Sequence, residues 1–76
     1  MSEHEISTRN LLCPMPVIRT QDKIKTLVAN DILTVTATDP GTLNDIPTWC
    51  RINGHEVLNQ EQDGRDIIFI IKVGND

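Results

Sequence analysis

The sequence predicts an α/β fold, a two-layer α/β sandwich in the order β-α-β-α-β-β, with a four-stranded mixed sheet and both helices on one face. Three observations lead there. Between Ile32 and Thr38, apolar and threonine side chains alternate with the two-residue period of a strand. Apolar residues at helical spacing flank that strand on both sides, and strands alternating with helices imply parallel pairing. Near the end, two extended runs meet at Asp63-Gly64, a hairpin signal that adds an antiparallel pair. Two helices do not readily cover both faces of four strands. One face therefore stays open, and the threonines of the second strand suit contact with water.

In chain order, Ile6 to Asn10 reads as a short first strand, preceded by a loose, disordered tail at residues 1–5. The first helix runs from about Pro14 to Val28, with Val17, Ile24, Leu27 and Val28 on one face and Ile18 at its edge. Asn30-Asp31 ends it, and the β-branched second strand follows. Asp39-Pro40-Gly41-Thr42 is a turn, and Thr42 with Asp45 resembles a capping box in which Asp replaces the usual Glu. The second helix extends to about Ile52 and stops at Asn53-Gly54, with Leu43, Ile46, Cys50 and Asn53 on one stripe. Pro47 falls inside it, so a late start or a bend is expected. Glu56 to Gln62 forms the third strand. Asp66 to Val73 forms the fourth, apolar on both faces and therefore central.

The 76 residues make a single domain, 1–76. A chain this short buries only about 60% of its unfolded surface, which leaves little room for a deep substrate cleft. No cofactor-binding motif is identified. The net charge of −4 disfavours the release of counterions from phosphates, and one Trp, one Phe and no Tyr make a poor base-stacking platform. Direct, tight nucleic-acid binding is thus disfavoured, whereas an acidic surface suits docking on a basic protein patch. The longest apolar run, Ile67 to Ile71, is too short to span a membrane. The polar start Met1-Ser2-Glu3-His4-Glu5 lacks the basic and apolar regions of a secretion signal. The expected compartment is the cytoplasm, where Cys13 and Cys50 stay reduced.

The segment Asn10-Leu11-Leu12-Cys13-Pro14-Met15-Pro16-Val17 joins the first strand to the first helix. Proline is favoured at the first helical position, which makes Cys13 the expected N-cap. Pro14 and Pro16 remove two unpaired donors of the first turn and leave the N–H groups of Met15 and Val17 to face the sulfur. A thiolate there would gain from the helix dipole, which lowers cysteine pKa values. The plain alternative is a packed thiol beside Leu11 and Leu12.

These residues carry a resemblance. "LLCPMPVIRT", with the later "TVTATDPGTLNDIPTWCRINGHEVLNQEQDG", resembles the TusA-like (SirA-like) sulfur-carrier family over about residues 6 to 72. Its marks are the Cys13 to Pro16 Cys-Pro-x-Pro box, Asp39-Pro40, Asp45-Ile46-Pro47 and Gly54-His55-Glu56. The resemblance implies the same two-layer fold and a cysteine, here Cys13, that accepts sulfane sulfur as a persulfide. The implied donors are a cysteine desulfurase or a rhodanese-like protein. The implied acceptor is a downstream sulfur-relay protein, on a route that in one branch ends in 2-thiouridine in tRNA. Upstream, family members often carry an acid and a glycine where this chain has Ser7 and Asn10; asparagine tolerates the left-handed conformation, so the turn is kept.

The remaining candidates keep two readings each. Cys50 is a core thiol, or a resolving cysteine for Cys13 in a redox switch. His4, Cys13, Cys50 and His55 lack metal-ligand spacing, so no metal site is expected. His55 is a surface histidine or a general base. Trp49 is core or an interface anchor. Arg19, Lys23 and Lys25 are a solvated helix face, or a basic patch near the thiol that aids docking or steadies a persulfide. A non-catalytic interaction or regulatory module is the alternative to the carrier.

Overall fold

A computed structural model describes residues 2–74. The elements are β1 (Glu3–Thr8), α1 (Met15–Ile24), β2 (Ile32–Ala37), α2 (Thr42–Ile52), β3 (Glu56–Asp63) and β4 (Asp66–Lys72), the predicted order. The four strands form one sheet in the order β1-β2-β4-β3. β1 runs parallel to β2, while β4 runs antiparallel to both β2 and β3. β4 is therefore an inner strand, as its run of five apolar residues implied. Gly64 takes φ 63° between the paired Asp63 and Asp66, the left-handed value that the tight hairpin requires.

Alternation along the inner strands separates the two faces. Leu33, Val35 and Ala37 of β2 are buried, as are Ile67, Phe69 and Ile71 of β4. Leu33, Val35 and the three β4 residues form one core with Ile24 of α1 and with Ile46 and Cys50 of α2. Both helices thus cover the same face. On the other face, Thr34 and Thr36 lie beside Ile70 and Ile68 and remain half-buried. Edge strand β3 is almost wholly exposed and bulges between Val57 and Asn59, which blunts further pairing.

Four local expectations are corrected. The first strand begins at Glu3, so residues 3–5 are strand and not a loose tail; Met1 lies outside the described residues. The reason is tertiary. The Ser2 N–H donates to Asp31 Oδ1 at 3.0 Å, the Ile32 N–H donates to the Ser2 carbonyl at 2.8 Å, and Glu3 pairs with Ile32. The first helix is shorter than the apolar pattern suggested. It stops at Ile24, tighter turns carry the chain through Leu27, and Val28 is 67% exposed, off the buried stripe. Pro16 and Thr20 occupy that stripe instead, with the Thr20 hydroxyl donating to the Pro16 carbonyl. The second helix starts at Thr42 with Pro47 inside it, so the proline delays nothing. Finally, no capping box forms. Gly41 is the N-cap, and the buried Thr42 hydroxyl donates to the Asp39 carbonyl. The Asp45 carboxylate is engaged elsewhere.

Two outcomes follow for stability. Phe69 is fully buried at the centre of the core. Its truncation to Ala removes about 3–5 kcal/mol, much of the total of a domain that is stable by about 5–15 kcal/mol; urea titration of Phe69→Ala should show a large fall in midpoint. Asp31 accepts N–H bonds from Val28 and Ser2, which hold its carboxyl below the ordinary range against the opposing effect of burial. A lowered carboxyl pKa stabilises the fold above the unfolded value, near about pH 4, and that contribution is lost as pH falls through the folded value. Melting followed by circular dichroism should show the midpoint dropping below about pH 4, with a shallower drop in Asp31→Asn.

Candidate functional site

The loop after β1 and the loop after β2 leave neighbouring parallel strands at their carboxyl ends, the position where α/β sheets gather ligand-handling residues. Asn10 turns the first loop with φ 66°, and its N–H donates to Thr38 Oγ1 at 2.9 Å. The left-handed turn expected of this asparagine is present. Cys13 and Pro14 are joined by a cis peptide bond, and Met15 opens α1.

Cys13 is consequently not the N-cap of α1. That position belongs to Pro14, and Pro16 is the second helical residue. The Met15 N–H, expected to face the sulfur, donates to the Leu12 carbonyl at 2.9 Å. The Met15 amide is therefore spent within the loop and is not aimed at the thiol. Val17 lines a shallow groove beside the site together with Pro14, Asn44, Asp45, Trp49 and Ile52, about 310 Å³ in volume.

The partners of Cys13 are carboxylates from the second loop and from α2. Its N–H donates to Asp39 Oδ2 at 2.8 Å, and its thiol donates to Asp45 Oδ2 at 2.9 Å. The second Asp39 oxygen accepts the Gly41 N–H at 3.1 Å, so one carboxylate ties the two loops together. These N–H bonds, that of Cys13 foremost, hold the Asp39 carboxyl below its ordinary range. The sulfur also packs against Gly41. A Cβ there would stand 3.1 Å from Sγ, so glycine leaves the space that the thiol fills.

The electrostatics invert the expectation from the helix dipole. Donation to Asp45 stabilises the neutral thiol, partial burial adds to this, and the charge of Asp39 acts in the same direction. Together they push the thiol up to about 12. A full carboxylate charge at hydrogen-bond distance outweighs a helix end worth about half a charge. In the free protein Cys13 is a protonated, half-exposed thiol. Leu12, next to it in the chain, is 75% exposed, and Ile52, at the far end of the neighbouring groove, is 74% exposed.

The other candidates lie apart from the thiol. Cys50 is buried in the core, and burial pushes its thiol up to about 11. It stands five residues beyond Asp45 on α2, about 7–8 Å along the axis and turned to the sheet; both cysteines are free. The His55 Nδ1 accepts the Gly74 N–H, and the ring stacks on Trp49 at 5.2 Å. His55 and Trp49 line a second groove, of about 1090 Å³, beyond the C-terminal end of α1. Trp49 is thus both packed on the core and part of two surface grooves. Lys23 and Lys25 sit at the last turn and C-cap of α1, the end opposite Cys13, so they make no basic patch at the thiol. Arg19 is exposed on the same helix. His4 Nε2 approaches Asp31 at 3.7 Å. Ser7 faces outward on β1, and its hydroxyl accepts from Arg9, whose guanidinium makes a two-point pair with Asp66 at 3.1 Å. Among the described residues no three His, Cys, Asp or Glu side chains gather as metal ligands, and no helix is long and apolar enough to cross a membrane.

Sequence reasoning named Cys13 but not the roles of Asp39, Gly41 and Asp45. The available signal was the parallel pairing itself, which sets the Asp39-Pro40 turn beside the cysteine loop.

Comparison with known proteins gives a family model described as Sulfurtransferase TusA, matching residues 4–73. YrkI of Bacillus subtilis is 37% identical over 73 residues, covering 96% of this chain and 97% of that protein. The sulfur carrier protein TusA of Pseudomonas putida is 37% identical over 67 residues, covering 88% of this chain and 84% of its own. YrkF of Bacillus subtilis is 32% identical over 71 residues, and the match covers 38% of its length.

The geometry sets the order of thiol reactivity. Under native conditions iodoacetamide should modify Cys13 and spare Cys50, which reacts only when urea opens the core. The Cys13 rate should go on rising with pH beyond about 9, where an ordinary cysteine levels off. Peptide mapping of quenched samples reads both.

Proposed function

The chain belongs to the TusA sulfurtransferase family, and on that premise we propose that it is a sulfur carrier that holds sulfane sulfur as a persulfide on Cys13 and relays it to an acceptor protein. The observation that carries this reading is the placement of a half-exposed thiol on a braced loop beside the exposed Leu12, with only a shallow groove next to it among the described residues. Such a thiol meets its substrates on the surface of other proteins. A cysteine desulfurase or a rhodanese-like protein supplies the sulfur, and a relay protein takes it, on a route that includes 2-thiouridine formation in tRNA as one destination. Both cysteines are free thiols, which suits a reducing cytoplasm.

The transfer balances without an external oxidant. Cys13 sulfur attacks the outer sulfur of the donor persulfide, the donor's sulfur–sulfur bond breaks, and the donor leaves as a thiolate that takes up the proton Cys13 gave up. The acceptor thiol then attacks the outer sulfur carried on Cys13 and regenerates the free thiol.

Incubation of the reduced protein with a panel of cysteine desulfurases plus cysteine, or rhodaneses plus thiosulfate, tests this by intact mass. The mass should rise by one sulfur atom in the wild type and in Cys50→Ala, and the adduct should vanish in Cys13→Ala. Failure of every donor to load the wild type would sink the carrier reading. A loss of two hydrogens on mild oxidation, without a sulfur adduct, would favour the Cys13–Cys50 switch, which the buried position of Cys50 opposes.

A further inference from the structure

The Cys13 thiol donates to Asp45, and the Asp39 carboxylate faces the same residue from the second loop. Among the described residues the ion pairs are His4 with Asp31 and Arg9 with Asp66, so neither carboxylate beside Cys13 is paired with a cation of this chain. Asp45 is half-buried and lines the shallow groove between α1 and α2, where a long side chain from another protein can reach it. A nucleophilic sulfur and an unneutralised carboxylate therefore share one hydrogen bond at an open surface. The sulfur cannot ionise there without setting two negative charges at contact distance.

We propose that Asp45 is a positioning residue that keeps Cys13 a neutral thiol in the free carrier, and that a lysine or arginine of the sulfur-donating protein pairs with Asp45 and thereby releases the thiol to react. The inference rests on the carrier reading above and names the chemistry of its partner. Pairing Asp45 with a cation removes the nearest charge opposing ionisation, and the carboxylate's hydrogen-bond capacity passes to the incoming side chain. Cys13 then attacks the donor persulfide, and its proton ends on the sulfur that leaves. The consequence is selectivity: small oxidants and stray electrophiles meet a protonated thiol, and the donor meets a nucleophile.

Two readouts test this, with circular dichroism establishing that Asp45→Asn and Asp45→Ala are folded. Iodoacetamide modification of Cys13 in the free protein should be faster in both variants. Each unit of pKa lost gives about a threefold gain near pH 8, because a tenfold gain in thiolate is partly offset by lower nucleophilicity. A wild-type pH profile that levels off below about pH 9, or rates unchanged or slower in both variants, overturns the proposal. In the second readout, Asp45→Asn should take sulfur faster than wild type from sodium tetrasulfide, which brings no protein side chain. It should take sulfur more slowly from whichever protein donor loads the wild type. A shift in the same direction with both donors, or no shift with either, overturns it. If no protein donor loads the wild type, the carrier reading fails, and the iodoacetamide rates still decide whether Asp45 restrains the thiol.

Discussion

Six paired positions, from Glu3 against Ile32 to Thr8 against Ala37, align β1 and β2 in parallel and bring their carboxyl ends to one edge of the sheet. Everything at the thiol depends on that alignment. The loop carrying Cys13 and the loop carrying Asp39 and Gly41 leave side by side, and Asp39 bridges them through the N–H groups of Cys13 and Gly41. The strand ends are themselves anchored. Asp31 holds the start of β1 through Ser2, the buried Thr8 hydroxyl donates to the Thr36 carbonyl, and Arg9 reaches Asp66 across the top of the sheet. Every buried side-chain polar atom among the described residues has a partner, so the loops are seated without an unsatisfied group.

The helices serve this edge in different ways. α1 buries Pro16, Thr20 and Ile24 and begins with Pro14 at its N-cap and Pro16 in its first turn. α2 buries Thr42, Ile46 and Cys50, which turns Asp45 away from the core and toward the cysteine loop. An acid in the first turn of a helix is ordinarily explained by capping or by the dipole. Here the cap position holds glycine, which the sulfur packs against, and the acid accepts a hydrogen bond from the thiol. One helix start therefore makes both the space and the hydrogen bond that hold Cys13.

The pattern reading succeeded where burial is periodic. The alternation of β2 and β4, the hairpin at Asp63-Gly64 and the stripe through Ile46 and Cys50 are consequences of one-sided packing, which writes itself into spacing. It failed where backbone partners decide. Residues 3–5 show no apolar signal because β1 is an edge strand held by its ladder and by Asp31. Val28 continues the apolar pattern but follows the end of α1 and lies in solvent. Pro47 was expected to delay or bend α2, and the delay does not occur, because the helix already begins at Thr42.

By itself, the sequence determined the fold class, the order of elements and the family, and it singled out Cys13 as the candidate thiol, because each is written in periodicity or in a local motif. Only the tertiary structure decided the state of that cysteine. A helix start read along the chain implied a depressed pKa for the thiol. The three-dimensional arrangement places Asp39 and Asp45, 26 and 32 residues away, at hydrogen-bond distance and raises it instead. Charge interactions depend on distance through space, and separation along the chain does not encode that distance until parallel strands bring two loops together.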